Sequence, residues 1–231
     1  MIGVFDSGMG ALSAISEIRR LSPKQDISFY CDRKNAPYGT KTKSELITLV
    51  KRDVEILMDA GADSILMACC TASTVYEYLD ENMKRICTPI IPPAARRAAE
   101  LTKNGKVGVI ATCATVRSKA FSRLLYSFPS VEFVIEKEAQ ALVSLVERGC
   151  RDGRVTPEDE RAIATILSGF LEENIDTLIL GCTHFPFLEG EIARLMPGVK
   201  IVSPSREGAI EILKNKSENG NGITISVDTG K

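Results

Sequence analysis

Along the 231-residue chain, short apolar runs alternate with longer stretches in which apolar positions recur every three or four residues. A short run bounded by turn residues fits a strand buried on both faces, and the three-to-four spacing fits one face of a helix. Residues 2–5, 27–31, 64–68, 89–91, 107–111, 131–135, 177–181 and 199–202 are predicted strands, and residues 223–227 read as a closing strand. Between them, Leu12, Ile15, Ile18 and Leu21 share a helical face that Pro23 terminates. Leu46, Val50, Val54 and Leu57 form another, entered through a capping box from Thr42 to Glu45. Thr156-Pro157-Glu158-Asp159 opens a further helix that reaches Leu171. Regular strand–helix alternation predicts an α/β protein with mostly parallel sheets.

The pattern also repeats. Ile2-Gly3-Val4-Phe5-Asp6-Ser7 aligns with Val107-Gly108-Val109-Ile110-Ala111-Thr112, and Asp63-Ser64-Ile65-Leu66-Met67-Ala68-Cys69 aligns with Asp176-Thr177-Leu178-Ile179-Leu180-Gly181-Cys182. In both copies of the second segment an Asp lies six residues before the Cys, and the offset grows from 105 to 113 residues between the two matches. This predicts two similar α/β domains facing across a cleft with a pseudo-twofold relation. The first spans residues 1–91 plus 204–231, and the second is inserted as residues 92–203. Ligands of open α/β sheets sit beyond the carboxyl ends of strands. Asp6, Cys69 and Cys182 stand at such ends, so the cleft would present one thiol from each side.

Composition narrows the partners. The formal net charge is −1, which gives no global field to attract nucleic acid or an anionic membrane. No apolar run approaches the roughly 20 residues that span a bilayer, and the chain enters its first strand at Ile2 without a leader-like segment. A small-molecule substrate is expected. The seven cysteines are odd in number and include no C-x-x-C pair, which points to free thiols in a reducing, cytoplasmic compartment. His184 is the only histidine, so no metal site is expected. Gly8-x-Gly10 lacks the lysine of a phosphate loop, and no lysine is placed to carry a pyridoxal group; no cofactor is expected.

Helical patterns follow Cys69 (from Thr71 to about Lys84) and Cys182 (Phe185 to Met196). A helix N-terminus favours thiolate, so both thiols are expected to have lowered pKa values. Two opposed thiols suit inversion at a carbon, in which one removes a proton from one face while the other returns a proton to the opposite face. Asp6 is placed to assist Cys69, and His184 to assist Cys182. Simple core packing is the alternative for either cysteine taken alone.

Taken together, Gly3-Val4-Phe5-Asp6-Ser7-Gly8-Met9-Gly10, Ala36-Pro37-Tyr38-Gly39-Thr40-Lys41 after Asp32, Cys69 with Thr71-Ala72-Ser73, and Gly181-Cys182-Thr183-His184-Phe185-Pro186 resemble the motifs of glutamate racemases. The segment with Thr112, Thr115 and Ser118, the helix ending in Glu147-Arg148-Gly149 and the tail at residues 223–230 are similar to further parts of that family. The resemblance implies a cofactor-independent isomerase that interconverts L- and D-glutamate for peptidoglycan synthesis. Cys69 would serve the D-enantiomer's α-proton and Cys182 the L-enantiomer's, with Asp6 and His184 in support. Ser7, Pro37, Tyr38, Gly39, Cys70, Thr71, Thr112, Glu147 and Thr183 would bind substrate. A homodimer is compatible with it. The chain departs from the family pattern at Cys70 (usually Asn), at Gln140-Ala141 (usually Cys-Pro), at Ser203 (usually Asp) and in a shortened stretch over residues 88–97. These departures keep two alternatives open: a racemase for aspartate or another small acid, and a ligand-binding homologue with impaired turnover.

Overall fold

The computed structural model describes residues 1–149, 155–214, 216 and 220–227. Among the described residues, nine strands form two wholly parallel sheets. The first contains β1 (Ile2–Asp6), β2 (Ile27–Cys31), β3 (Ser64–Met67), β4 (Cys87–Pro89) and β9 (Thr224–Ser226), in the order β4-β3-β1-β2-β9. The second contains β5 (Lys106–Ala111), β6 (Phe133–Glu138), β7 (Thr177–Gly181) and β8 (Lys200–Val202), in the order β6-β5-β7-β8. Read from the other edge, the second sheet repeats the first: β5, β6, β7 and β8 occupy the places of β1, β2, β3 and β4. The register repeats too. Ile2 pairs with Ser64 in one sheet, and the aligned Val107 pairs with Thr177 in the other.

The helices are α1 (Ala11–Leu21), α2 (Lys43–Asp59), α3 (Cys70–Ser73), α4 (Glu81–Ile86), α5 (Ile91–Leu101), α6 (Cys113–Ser118), α7 (Ala120–Leu125), α8 (Gln140–Glu147), α9 (Pro157–Glu172), α10 (Glu189–Leu195) and α11 (Pro204–Leu213). The capping box read from sequence, Thr42 with Glu45, precedes α2, and the helix start read at Thr156 is also a capping box, Thr156 with Asp159, before α9. Each satisfies backbone N–H groups that the first helical turn leaves without partners. The two sheets share a core. One apolar cluster runs from Ile2, Val4 and Leu66 through Ile90 and, on α5, Ala94 and Ala98 to Val107, Val109 and Ile179 of the second sheet. α11 packs against α1, α5 and β3, so the chain returns to the first sheet before adding β9.

Four expectations are corrected. The strand expected at 89–91 is β4 at Cys87–Pro89, because Ile91-Pro92-Pro93 starts α5, where proline is favoured in the first turn. The strand expected at 131–135 lies at Phe133–Glu138; its half-buried positions include Glu136 and Lys137, which an apolar count passes over. On α1, Leu12 and Leu21 are exposed while Ala11, Ala14, Ile15 and Ile18 face the core, so small residues rather than the outer leucines mark the buried stripe. The long helices expected after both cysteines are broken into α3, a 3₁₀ turn and α4 in one case, and a 3₁₀ turn (Phe185–Leu188) and α10 in the other. The described cysteines, 31, 69, 70, 87, 113 and 182, are all free. Cys150 and residues 228–230 of the tail lie outside the described residues.

Candidate active site

The strand ends deliver the chemistry. β1 ends on Asp6, which is fully buried. Its Oδ2 accepts the Gly8 N–H at 2.8 Å, and its Oδ1 accepts the Thr183 hydroxyl at 2.9 Å from the opposite sheet. A Cβ on Gly10 would come 2.1 Å from Thr183 Oγ1, so only glycine lets that bond form. β3 leads into Cys69, whose Sγ lies 3.9 Å from Ser7 Oγ. β7 leads into Cys182, whose Sγ lies 3.6 Å from His184 Nδ1. His184 Nε2 in turn lies 3.4 Å from Glu147 Oε1, at ion-pair distance but without hydrogen-bond alignment. Thr71 from the first half meets Thr112 and Thr115 from the second at 2.8 and 3.1 Å, which ties the two walls together with hydroxyls.

These groups enclose one cavity lined by Ser7, Pro37, Tyr38, Gly39, Cys69, Thr71, Thr112, Gln140, Val143, Glu147, Cys182, Thr183 and His184. It measures about 20 Å³, room for about one water molecule. An amino acid therefore enters only when the walls part. Gly39 marks a close approach at the cavity wall: a Cβ there would sit 2.6 Å from Gln140 Oε1 and 2.8 Å from Thr112 Cβ, across the seam between the halves.

The electrostatics run against the lowered thiols expected from sequence. Burial pushes Cys69 up to about 12, and the Asp6 charge adds to it. Burial also pushes Cys182 well up, against the N–H of His184, with Cys69, Asp6 and Glu147 reinforcing the rise. The helical segments after both cysteines are too short to supply a large opposing dipole, so desolvation wins. Asp6 is raised by burial as well, offset in part by His184, Gly8 and Thr183. Burial thus favours the protonated form of both thiols.

Of the residues singled out in the sequence, Ser7, Pro37, Tyr38, Gly39, Cys69, Thr71, Thr112, Glu147, Cys182, Thr183 and His184 all border this cavity. Asp6 lies behind the wall, bonded to Thr183. Cys70 packs in the shared apolar core and borders no part of the cavity, although the charges of Cys182 and Cys69 reach it. Two lining residues escaped the sequence reading, Gln140 and Val143. They share a face of α8 with Glu147 at helical spacing, which was the available signal. Among the described residues Gln140 Oε1 is buried without a hydrogen-bond partner, so the cavity holds an amide oxygen free to accept from a ligand. A buried carboxylate pair was also missed. The Tyr38 hydroxyl lies 2.7 Å from Asp32 Oδ2 and 2.6 Å from Asp53 Oδ2, and the Arg52 guanidinium bonds both acids.

Known proteins match this arrangement. The profile of the Asp/Glu/Hydantoin racemase family matches residues 20–211. The glutamate racemase of Desulforudis audaxviator is 37% identical over 206 residues, covering 88% of this chain and 74% of that protein. That of Persephonella marina is 35% identical over 223 residues, covering 96% and 85%. Among solved structures, a glutamate racemase isoform from Bacillus anthracis superposes with a TM-score of 0.86 at 33% identity, over 98% of this chain and 86% of that one. The Francisella tularensis glutamate racemase in complex with D-glutamate gives 0.81 at 28% identity, over 95% and 85%. Two parallel sheets that repeat one another, a thiol at the end of a strand in each, and these matches over most of the length make the chain a member of the Asp/Glu/hydantoin racemase family, an isomerase belonging with the glutamate racemases.

Proposed function

We propose that the chain interconverts L- and D-glutamate without a cofactor, with Cys69 and Cys182 as the paired acid and base. One observation carries the reading: the two thiols come from equivalent strand ends of the two sheets and border one cavity. The Francisella protein, similar over nearly the whole chain, was solved with D-glutamate, and the Escherichia coli protein with L-glutamate. We take the domains to be residues 1–91 plus 204–231 and residues 92–203, a division that sheet membership supports.

The chemistry follows from the burial. Bound glutamate brings an ammonium group into a site where both thiols are held protonated by desolvation. A cation within about 4–6 Å favours the charged form of a neighbouring acid, so substrate itself stabilises one thiolate. That thiolate takes the α-proton and becomes a thiol. The opposite thiol then gives its proton to the other face of the carbanion and becomes the thiolate. Cys69 acts on the D-enantiomer and Cys182 on the L-enantiomer, with Asp6 behind the first and His184 beside the second. The hydroxyls of Ser7, Thr71 and Thr112 donate to the carboxylates, which stabilises the developing negative charge, and Gln140 Oε1 accepts from the ammonium group. Glu147 orients His184.

This activity fits a cytoplasmic enzyme, a homodimer in solution, that supplies D-glutamate for peptidoglycan. Chiral separation of product after incubation with each enantiomer of glutamate and of aspartate, without added cofactor, tests it. Interconversion of glutamate is expected. Turnover of aspartate alone would reassign the substrate, and turnover of neither would support a binding protein that has lost the reaction.

A further inference from the structure

A second concavity lies across the same seam. It measures about 740 Å³, within the usual range of small-molecule sites. One wall comes from the first half, with Lys41, Lys43 and Tyr78, and the other from the second half, with Arg117 and Arg123. The two walls meet where the 3₁₀ turn Tyr38–Thr40 packs on α6. That contact is also where Gly39 closes on Thr112 over the substrate cavity. The groove therefore sits next to the residues that seal the site, but none of its lining residues borders the inner cavity.

Its charge is one-sided. Four cations face a single acid, Glu77, which already lies 3.8 Å from Lys84. Among the described residues Lys41, Arg117 and Arg123 have no salt bridge, whereas Arg20, Arg52, Arg96, Arg97, Arg194 and Arg206 are paired with carboxylates. Lys43 rests on the Tyr78 ring. In a chain of net charge −1 this concentration is local and not a reflection of composition. Like charges on opposite walls repel when the seam shuts, and an anion between them removes that repulsion. Two guanidinium forks and two ammonium groups match an oxyanion of two or more charges better than a single carboxylate.

We propose that this groove binds a compact multivalent oxyanion, a phosphate ester or a polycarboxylate, which bridges the two walls and holds the seam over the substrate cavity shut. The ligand binds best to the arrangement in which both walls are together, so its binding and domain closure are linked. Its influence on turnover rests on the racemase reading above; its binding does not.

The test uses the full chain with pyrophosphate and citrate as probes. Binding is measured by calorimetry at low and high salt, and alkylation of Cys69 and Cys182 by iodoacetamide is followed by peptide mass analysis with and without saturating probe. The expected result is binding of at least one probe that weakens with salt, and slower alkylation of both buried cysteines when it is bound. Preference for pyrophosphate assigns the site to phosphate esters, and preference for citrate assigns it to polycarboxylates. The double substitution Arg117→Glu, Arg123→Glu should weaken binding at least tenfold, equivalent to about 1.4 kcal/mol, and remove the protection of the cysteines. Arg117→Gln, Arg123→Gln keeps the side-chain bulk and should weaken binding in the same direction. Absence of binding by both probes, unchanged affinity in both double variants, or unchanged alkylation at saturation would overturn the proposal. Intact anion binding in a chain that does not racemise glutamate would count against the catalytic reading alone.

Discussion

Tyr38 forms part of the cavity wall, and its hydroxyl is held between two buried carboxylates. One phenolic proton cannot be donated to both Asp32 and Asp53 at once, so the cluster holds a second proton most readily on Asp53. Burial pushes Asp53 up to about 7, and the Asp32 charge adds to the rise against bonds from Tyr38 and Arg52. Asp32 moves the other way: despite burial, bonds from Tyr38, Asn35 and Arg52 hold it below the ordinary range. For Asp53 the folded form binds a proton that the unfolded chain, near 3.8, has released. Stability should therefore fall as pH rises from about 4 to about 7, by about 1.4 kcal/mol per pH unit, and level off above that. Between pH 5 and pH 8 the loss from this group is about 3 kcal/mol. Asp53→Asn removes the titration but keeps a neutral hydrogen-bonding group beside Tyr38. Urea unfolding of both proteins at pH 5, 6, 7 and 8 gives the difference between them directly. The variant should gain on the parent steadily from pH 5 to pH 7 and hold that gain at pH 8. A difference that stays constant across this range would refute the assignment of the buried proton to Asp53.

Three further outcomes are expected. Gly39→Ala places a Cβ against Thr112 Cβ at 2.8 Å; overpacking of that kind costs about 1–3 kcal/mol. The cost falls on the closed arrangement, so kcat/KM for glutamate should drop about tenfold with little change in urea midpoint, and a full loss of stability instead would place the strain in the open form too. Thr183→Val leaves the buried Asp6 Oδ1 without its hydroxyl donor; the loss should be about 1–3 kcal/mol in stability by thermal unfolding, and it should be larger above the Asp6 pKa than below, where the carboxyl is neutral. Cys70→Ala should leave KM for glutamate nearly unchanged, because Cys70 borders no part of the cavity; a large rise in KM would mean that the thiol reaches substrate once the walls part.

Much of the arrangement was legible because it rests on short-range rules. Parallel strands buried on both faces read as apolar runs, and the matching Asp-to-Cys spacing in two segments carried the repeat to the level of register. The edges were less legible. β6 carries Glu136 and Lys137 in its middle, and Pro92-Pro93 begins a helix where the run of isoleucines reads as a strand. The site residues on strand ends were readable from topology, since strand ends of both sheets point into one cleft. Gln140 and Asp53 were not, because each sits on a helix face whose direction depends on tertiary packing. The thiol pKa values ran opposite to the helix-dipole expectation for a similar reason: the patterns give helical periodicity, but they do not show that the helices break after one turn or how deeply the sulfurs are buried.

The two-thiol account is tested most directly by the fate of the α-hydrogen in heavy water. The donating thiol exchanges its proton with solvent while the site is open, and the abstracting thiol carries the substrate's own hydrogen. With L-glutamate or D-glutamate as the starting enantiomer, early product should carry deuterium at the α-carbon and recovered substrate should carry almost none. Cys69→Ser and Cys182→Ser should each abolish interconversion, since a serine hydroxyl is far less acidic than a thiol. Product that retains most of the original hydrogen in either direction, or near-normal racemisation by either serine variant, would contradict the account.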